Sequence, residues 1–454
     1  MAAGKGTRMK SATPKMRHPV CGLPMILYPV LCAQRAGAER VVVVTSPDDQ
    51  LGDLLPDGVQ VAAQHEARGT GDAVKAAAAA VGGADQVVVL SGDTPLVDAE
   101  FIRRLAARRR ETGAAMVMVT ARLSDPTGYG RIVRDAAGDV ERVAETKITG
   151  DAGAGELAID EVNAGIYAFD SPKLFDALER VKTDNAQGEY YLPDVLPILR
   201  ADGERVAILE LSPPELMLGV NSRVDLAAVT AAMNRLILRD HQLAGVTVVD
   251  PHSTWIDSTV TIGADTVIEP GSYLRGRTEI GGNATIGPHS TLTDCSVGDG
   301  AKVIHSYLVE AEVGRGASVG PFAYLRPGAR LAEHAKAGTF VEIKNSNIGA
   351  GAKVPHLSYV GDADVGERAN LGAATITANY DGRDKHRTTI GEGVRTGVDT
   401  TLVAPVSVGD GAYTGAGSVI TKDVPADALA VARARQKNIE DYAKRKRDGS
   451  HHDG

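Results

Sequence analysis

At 454 residues the chain exceeds one ordinary domain, and its length alone predicts two or three. A net charge of −9 argues against general nucleic-acid binding, which needs a basic face, and no stretch reads as a signal peptide or an 18-residue apolar span. Aromatics at 4% and 51 glycines describe a core of small and branched residues with frequent turns, a composition that favours a repeat. Cys21, Cys32 and Cys295 have neither metal-ligand spacing nor an even number, which predicts reduced thiols in a cytoplasmic protein.

The chain opens MAAGKGTRMKSATPK, a glycine-rich loop with basic residues around it. Such loops hang off the end of a buried strand, where the sheet turns backbone amides toward an anion. Only Met1 precedes this one, so the natural protein is expected to begin upstream, with the missing strand. By itself AAGKGTRM reads equally as a bare glycine turn, being neither the Walker pattern nor G-x-G-x-x-G. From there to about residue 220, short β-branched runs alternate with helical stretches. The runs are VVVVT (41–45), QVVVLSGD (86–93), AAMVMVTA (114–121), NAGIYAFD (163–170) and VAILEL (206–211); AEFIRRLAARRRE (99–111) and SPKLFDALERV (171–181) are two of the helical stretches. This alternation predicts an α/β layered domain around a mostly parallel sheet, with ligands at strand ends such as SGD (91–93). SRVDLAAVTAAMNRLILRDHQLAG (222–245) is one long helical pattern connecting two domains.

After it the period changes. Steps of six give Ile262, Ile268, Leu274, Ile280, Ile286 and Leu292, then Val297 and Val303. Further runs are Val313, Val319, Leu325, Leu331, Ala337 and Ile343; Ile348, Val354 and Val360; and Ile390, Thr396, Leu402, Val408, Thr414 and Ile420. Neither a helix nor an ordinary strand keeps a strict period of six on one face. A coil of short strands does, each aliphatic stacking on its equivalent one turn later, with about eighteen residues to a triangular turn. The largest interruption is TANYDGRDKHRTT (377–389), and solenoid insertions of this kind gather on one face and often bind something. One side of such a prism is an extensive flat surface, so self-association is expected.

Loop and hexads together carry a resemblance. In matching order the chain has AAGKGTRM, TPK, GTG, SGDTPL, DPTGYGRI, NAQGEYY, GVNSR, GPFAYLRPG, TFVEIKN, PHLSYVGDA, NYDG, LVAPV and AGSVITKDVP. Over nearly its whole length it resembles the bifunctional bacterial N-acetylglucosamine-1-phosphate uridyltransferase/glucosamine-1-phosphate acetyltransferases, the GlmU family. That resemblance implies a Rossmann-like nucleotidyltransferase domain over 1–221, a linker helix over 222–245, a left-handed parallel β-helix over 246–430 and a tail over 431–454. It also implies a homotrimer, and as substrates UTP, N-acetylglucosamine 1-phosphate, acetyl-CoA and glucosamine 1-phosphate. Two narrower readings compete: a sugar-1-phosphate nucleotidyltransferase with a structural β-helix, and a chain in which only the acetyltransferase is active.

Joining a uridylyl group to a sugar phosphate brings two anions together, so positioning and charge neutralisation dominate. Gly4, Lys5, Gly6 and Thr7 supply amides, and Arg8 and Lys15 supply cations. Asp93, which alone could be a cap residue closing a strand, is the natural Mg²⁺ ligand at the end of a buried run. The resemblance adds Asn221 as second ligand and places Ala2, Ala3, Gln64, Gly69, Thr70, Ser91 and Gly92 against the nucleotide. It places Gly130, Glu145 and Asn163 against the sugar. Asp72 in GTGDA replaces the family's usual histidine, and AETKITG (144–150) departs from the usual run around Glu145.

Amide formation from a thioester needs a base for the amine proton and a donor for the oxyanion. Arg326, Lys344 and His356 fall within one or two turns of one another by spacing. A lone loop histidine is ordinarily a solvated one; the motif PHLSYVGDA sets His356 apart. The resemblance makes His356 the general base, Arg326 and Lys344 the phosphate grip, and Tyr359 and Asn370 sugar ligands. It gives Ala373 the oxyanion amide and lines the coenzyme pocket with Asn379, Tyr380, Val398, Ala416 and Arg433. Val398 stands where the family usually has a small polar residue. The basic tail KRKRDGSHHDG (444–454) reads as a solvated end, not a nucleic-acid site.

Overall fold

The computed structural model describes residues 1–4, 6–48, 51–146, 153–185 and 188–447. Lys5, positions 147–150 of AETKITG, Ala186 and Gln187 of NAQGEYY, and the last seven residues of the tail therefore lie outside the described residues. The chain forms two compact units, Met1–Ile237 and Leu238–Gly454.

In the first unit the strand Met116–Arg122 is buried on both faces, as a continuous apolar run requires. Because successive side chains point to opposite faces, Met116 and Met118 enter one layer and Val117 and Val119 the other. The first layer is closed by helices Ser171–Arg180 and Val195–Ala201 through Leu174, Leu178, Leu196 and Leu199. The second is closed by helix Ala99–Thr112 through Phe101, Ile102 and Leu105. Asp98 starts that helix by accepting the Phe101 amide at 2.7 Å.

Strands Gln86–Val89, Met116–Arg122 and Val206–Glu210 point the same way, as a parallel sheet predicts. Glu161–Asp170 departs from that expectation: it runs antiparallel between the first two, and Arg131–Arg134 with Val140–Ala144 forms an antiparallel pair beyond it. Strand direction is set by how the chain returns, which β-branched composition does not encode. A further parallel pair joins Val42–Thr45 to Gln60–Ala63. Met1 and Ala2 lie between these groups. The Ala2 amide donates to Val44 O at 2.6 Å, the Met1 amine to Leu90 O at 2.8 Å, and the Gly92 amide to Met1 O at 2.7 Å.

Helix Arg223–Leu243 follows. Its Val229, Ala232 and Met233 bury against Met9, Val20, Met25 and Leu96.

The second unit is a column of short parallel strands in three sheets of seven, ten and nine strands among the described residues. Each strand pairs with its equivalent one coil later, as Trp255–Tyr273–Thr291 illustrates. The hexad aliphatics point inward: Ile268, Leu274, Ile286, Leu292, Val303, Leu325, Ile343, Val360 and Leu402 are fully buried. Each such side chain contributes about 1.5–3 kcal/mol by leaving water. Corners are turned by residues at positive φ, among them His289, His305, Phe322, Phe340 and Leu357. Stacked neighbours lie 16 to 18 residues apart up to the interruption, as in Thr291–Tyr307, Lys344–Gly361 and Glu312–Arg330, and 25 apart across it, as in Ile376–Thr401. The loop is thus let out between coils and leaves the stack intact.

Candidate active sites

The site of the first unit gathers at the ends of its strands. Lys15, in the short turn Lys15–Arg17, is buried at its head: its ammonium lies 2.5 Å from Asp93 Oδ2 and 3.1 Å from Asn221 Oδ1. Asp93 follows strand Gln86–Val89, and its carbonyl accepts the Val220 amide at 2.9 Å, tying that strand end to Asn221. Gly92 has no space for a side chain, since a Cβ there would fall 2.9 Å from Met1 O. Ala2 and Ala3 are buried, whereas Gly4 and Arg8 are exposed beside the left-handed Gly6.

The nucleotide-side residues meet one another. Gln64 Nε2 donates to Gly69 O at 3.1 Å and to Asp72 Oδ2 at 2.8 Å, and Thr70 Oγ1 accepts the Leu192 amide. Asp72, noted as a departure, is thus the residue that orients Gln64. On the sugar side the Asn163 amide donates to Gly130 O at 2.9 Å, and the Asn163 side chain bonds Tyr167 Oη. Glu145 Oε1 would lie 3.4 Å from a Cβ on Gly130. Ser91 Oγ would lie 3.6 Å from a Cβ on Gly165, two residues past Asn163.

Three residues missed by sequence reasoning belong here. Asp225 Oδ2 accepts the amides of Asn221 at 3.0 Å and Ser222 at 2.8 Å, fixing the loop that carries Asn221. Its signal was available: an acid three residues after a serine at a helix start. Burial, with Asp225 and Asp93 adding to it, raises the Tyr129 phenol above its ordinary range. Burial, then Glu145 and Asp184, pushes Asp194 up to about 6.

Two hard oxygens, Asp93 Oδ2 and Asn221 Oδ1, converge on a point that already holds a positive charge. That donor set fits a magnesium ion completing its shell with phosphate and water. Among the described residues no cluster of three His, Cys, Asp or Glu gathers to hold a metal unaided.

The second unit's site runs along one face and one corner of the column. Arg326, Glu342, Lys344 and Tyr359 share the face on successive strands. Arg326 pairs with Glu342 at 2.9 Å and Lys344 with Asp362 at 3.1 Å. Asp362 also accepts from Asn345 at 2.7 Å and Asn379 at 2.5 Å. Burial opposes the Asp362 charge, yet these donors outweigh it and hold the carboxyl below its usual range. Burial likewise opposes Lys344, and Asp362 and Lys385 outweigh it to keep the amine above the ordinary value. Lys385, from the interrupting loop, is lowered by its neighbour Lys344.

His356 ends strand Lys353–His356 and is exposed at the corner. That corner is a ladder. The Leu357 amide donates to Thr339 O, Ala374 to His356 O, Asp399 to Ala373 O and Gly417 to Val398 O. His356, Ala373 and Val398 therefore occupy equivalent places on consecutive coils, about 4.8 Å apart. Ala416 comes next: a Cβ on Gly397 would touch its amide. Arg433 lies one coil on, its Cδ 3.8 Å from where a Cβ of Gly417 would stand. Asn370 bridges Lys353 and Arg395 on the preceding face. Tyr380 is exposed on the loop, its hydroxyl donating to Gly382 O at 2.7 Å. Glu342, Asp362 and Lys385 were not anticipated, although the eighteen-residue rule places Asp362 one coil after Lys344.

Fold and sites define a two-domain transferase, a nucleotidyltransferase followed by a left-handed hexapeptide-repeat column. Residues 1–187 match the MobA-like NTP transferase domain, and residues 259–294 match the bacterial transferase hexapeptide (six repeats). The chain is 51% identical over 458 residues to the bifunctional protein GlmU of Streptomyces avermitilis, covering 99% of this chain and 94% of that one. It is 50% identical over 460 residues to the GlmU of Mycobacterium tuberculosis, covering 99% and 92%, and 50% identical over 461 residues to that of Mycolicibacterium gilvum. The chain belongs to the bifunctional GlmU family.

Proposed function

We propose that the two activities of this uridyltransferase and acetyltransferase are divided between the two sites described. Residues 1–221 carry uridylyl transfer, 222–245 link the domains, 246–430 carry acetyl transfer, and 431–454 form the tail. In the column, the phosphate of glucosamine 1-phosphate rests against Arg326, Lys344 and Lys385, and Tyr359 and Asn370 bind the sugar. His356 takes the proton as the amine nitrogen attacks the thioester carbonyl of acetyl-CoA. The Ala373 amide donates to the developing oxyanion, and the coenzyme leaves as a thiolate along Val398, Ala416 and Arg433, with Asn379 and Tyr380 beside it.

In the first unit a phosphate oxygen of N-acetylglucosamine 1-phosphate attacks the α-phosphorus of UTP, and pyrophosphate leaves. Lys15, Arg8 and the amides of residues 2–4, 6 and 7 hold the triphosphate; Gln64, Gly69 and Thr70 hold the nucleoside; Gly130, Glu145 and Asn163 hold the sugar. Gln64 commits its amide nitrogen to Gly69 and Asp72, so its oxygen is the atom offered to the base. Magnesium on Asp93 and Asn221 would neutralise phosphate charge. The protein works in the cytoplasm as a trimer assembled through the column.

The single observation that carries this reading is the corner ladder, which stacks His356, Ala373 and Val398 on consecutive coils of a column whose adjoining face carries Arg326 and Lys344. A bare scaffold needs neither, and the two narrower readings are not favoured. Replacing His356 by alanine should abolish acetyl-CoA consumption with glucosamine 1-phosphate and leave pyrophosphate release unchanged. Equal loss of both rejects the division.

A further inference from the structure

Lys15 occupies the place a metal ion would enter. Its side chain is 8% exposed, and its ammonium lies 2.5 Å from Asp93 Oδ2 and 3.1 Å from Asn221 Oδ1, the two oxygens assigned to magnesium above. The surroundings hold these partners in place. Gly6 packs so closely that a Cβ there would fall 2.7 Å from Lys15 Cβ. Asp225 fixes Asn221 from behind, and the Val220 amide ties the same loop to Asp93. A divalent cation seated on both oxygens would lie about 3 Å or less from the ammonium, where two positive charges in a half-buried site repel strongly, so the two compete for the same pair of oxygens. One cation must leave for the other to enter.

We propose that Lys15 is the resident counter-ion of the metal site, and that the nucleotide triphosphate releases the site by drawing the ammonium onto itself. The nucleotide-free protein is then a poor binder of divalent metal, and metal and nucleotide bind cooperatively. Because binding couplings are reciprocal, metal also tightens nucleotide by the same factor. The inference deepens the reading above and rests on its assignment of Asp93 and Asn221 to the metal.

Mn²⁺ titration followed by electron paramagnetic resonance tests it on the full chain, with and without a non-hydrolysable UTP analogue. Lys15→Met should bind Mn²⁺ about tenfold more tightly than wild type without nucleotide, within the ordinary range of such couplings. The gain in Mn²⁺ affinity on adding the analogue should shrink by that same factor. Lys15→Arg keeps the charge and should keep the weak binding. No gain in Lys15→Met, or an equal gain in Lys15→Arg, overturns the counter-ion role. Mn²⁺ binding undiminished by Asp93→Asn overturns instead the metal assignment on which the inference rests.

Discussion

Replacing Gly361 by alanine isolates what Tyr359 contributes to the acetyltransferase site. Gly361 is buried one coil after Lys344, and the Tyr359 ring lies across it. A Cβ there would stand 2.3 Å from the Tyr359 hydroxyl and 2.6 Å from Cζ. Its backbone is not in the left-handed region, so alanine is conformationally allowed, and the clash falls on the movable end of a side chain. Ordinary carbon contacts are about 3.5–4.0 Å, so the hydroxyl must retreat by roughly 1 Å. That displacement takes a hydrogen bond out of range. The expected loss is about 1–2 kcal/mol, equivalent to a KM for glucosamine 1-phosphate raised roughly 5- to 30-fold. Tyr359→Phe should give a similar rise, and the double variant little more. The assay is initial-rate acetyl-CoA consumption at varied sugar phosphate, with pyrophosphate release from UTP as control. An unchanged KM, or a parallel fall in pyrophosphate release, refutes the reasoning.

Asp194 predicts a pH effect on the first unit. Its carboxyl rises from 3.8 to about 6 through burial, Glu145 and Asp184, so the folded chain holds this proton more tightly than the unfolded one. The stability it contributes is complete below 3.8 and lost as pH rises through 6. Because the side chain is only partly buried, solvent screening reduces the effect to about 1–2 kcal/mol. Asp194→Asn should flatten calorimetric stability across that window and raise the midpoint at pH 7.5 by about 2–6 °C. No change at either pH counts against the buried like-charge account. A separate prediction concerns assembly. Phe322 and Phe340 stack at 5.3 Å and are more than half exposed along one corner, continued by Leu357. If that apolar strip is covered in the proposed trimer, Phe340→Glu should lower the sedimenting mass of the 47.3 kDa chain's assembly, and an unaltered mass would place the interface elsewhere.

The column was legible because its rule is local. Most inward aliphatics recur at six, with a few slips to five, and a coil of about eighteen residues brings Asp362 close enough to pair with Lys344. The first unit's site obeys no spacing rule. Lys15 meets Asp93 across 78 residues and Asn221 across 206, a closure that only the folded sheet makes and that the sequence suggested through resemblance alone. The reversed direction of Glu161–Asp170 was likewise invisible, since its apolar pattern suits a strand of either sense. Asp194 reads as an ordinary helix-start acid until burial places Glu145 beside it.

If the two proposed sites are separate, the acetylated sugar phosphate made at one can pass through solution to the other. Asp93→Ala and His356→Ala proteins, each supplied with glucosamine 1-phosphate, acetyl-CoA, UTP and Mg²⁺, should each fail to make UDP-N-acetylglucosamine. Mixed, they should make it, the first protein acetylating and the second transferring the uridylyl group. Product from either variant alone, or none from the mixture of folded proteins, would contradict it.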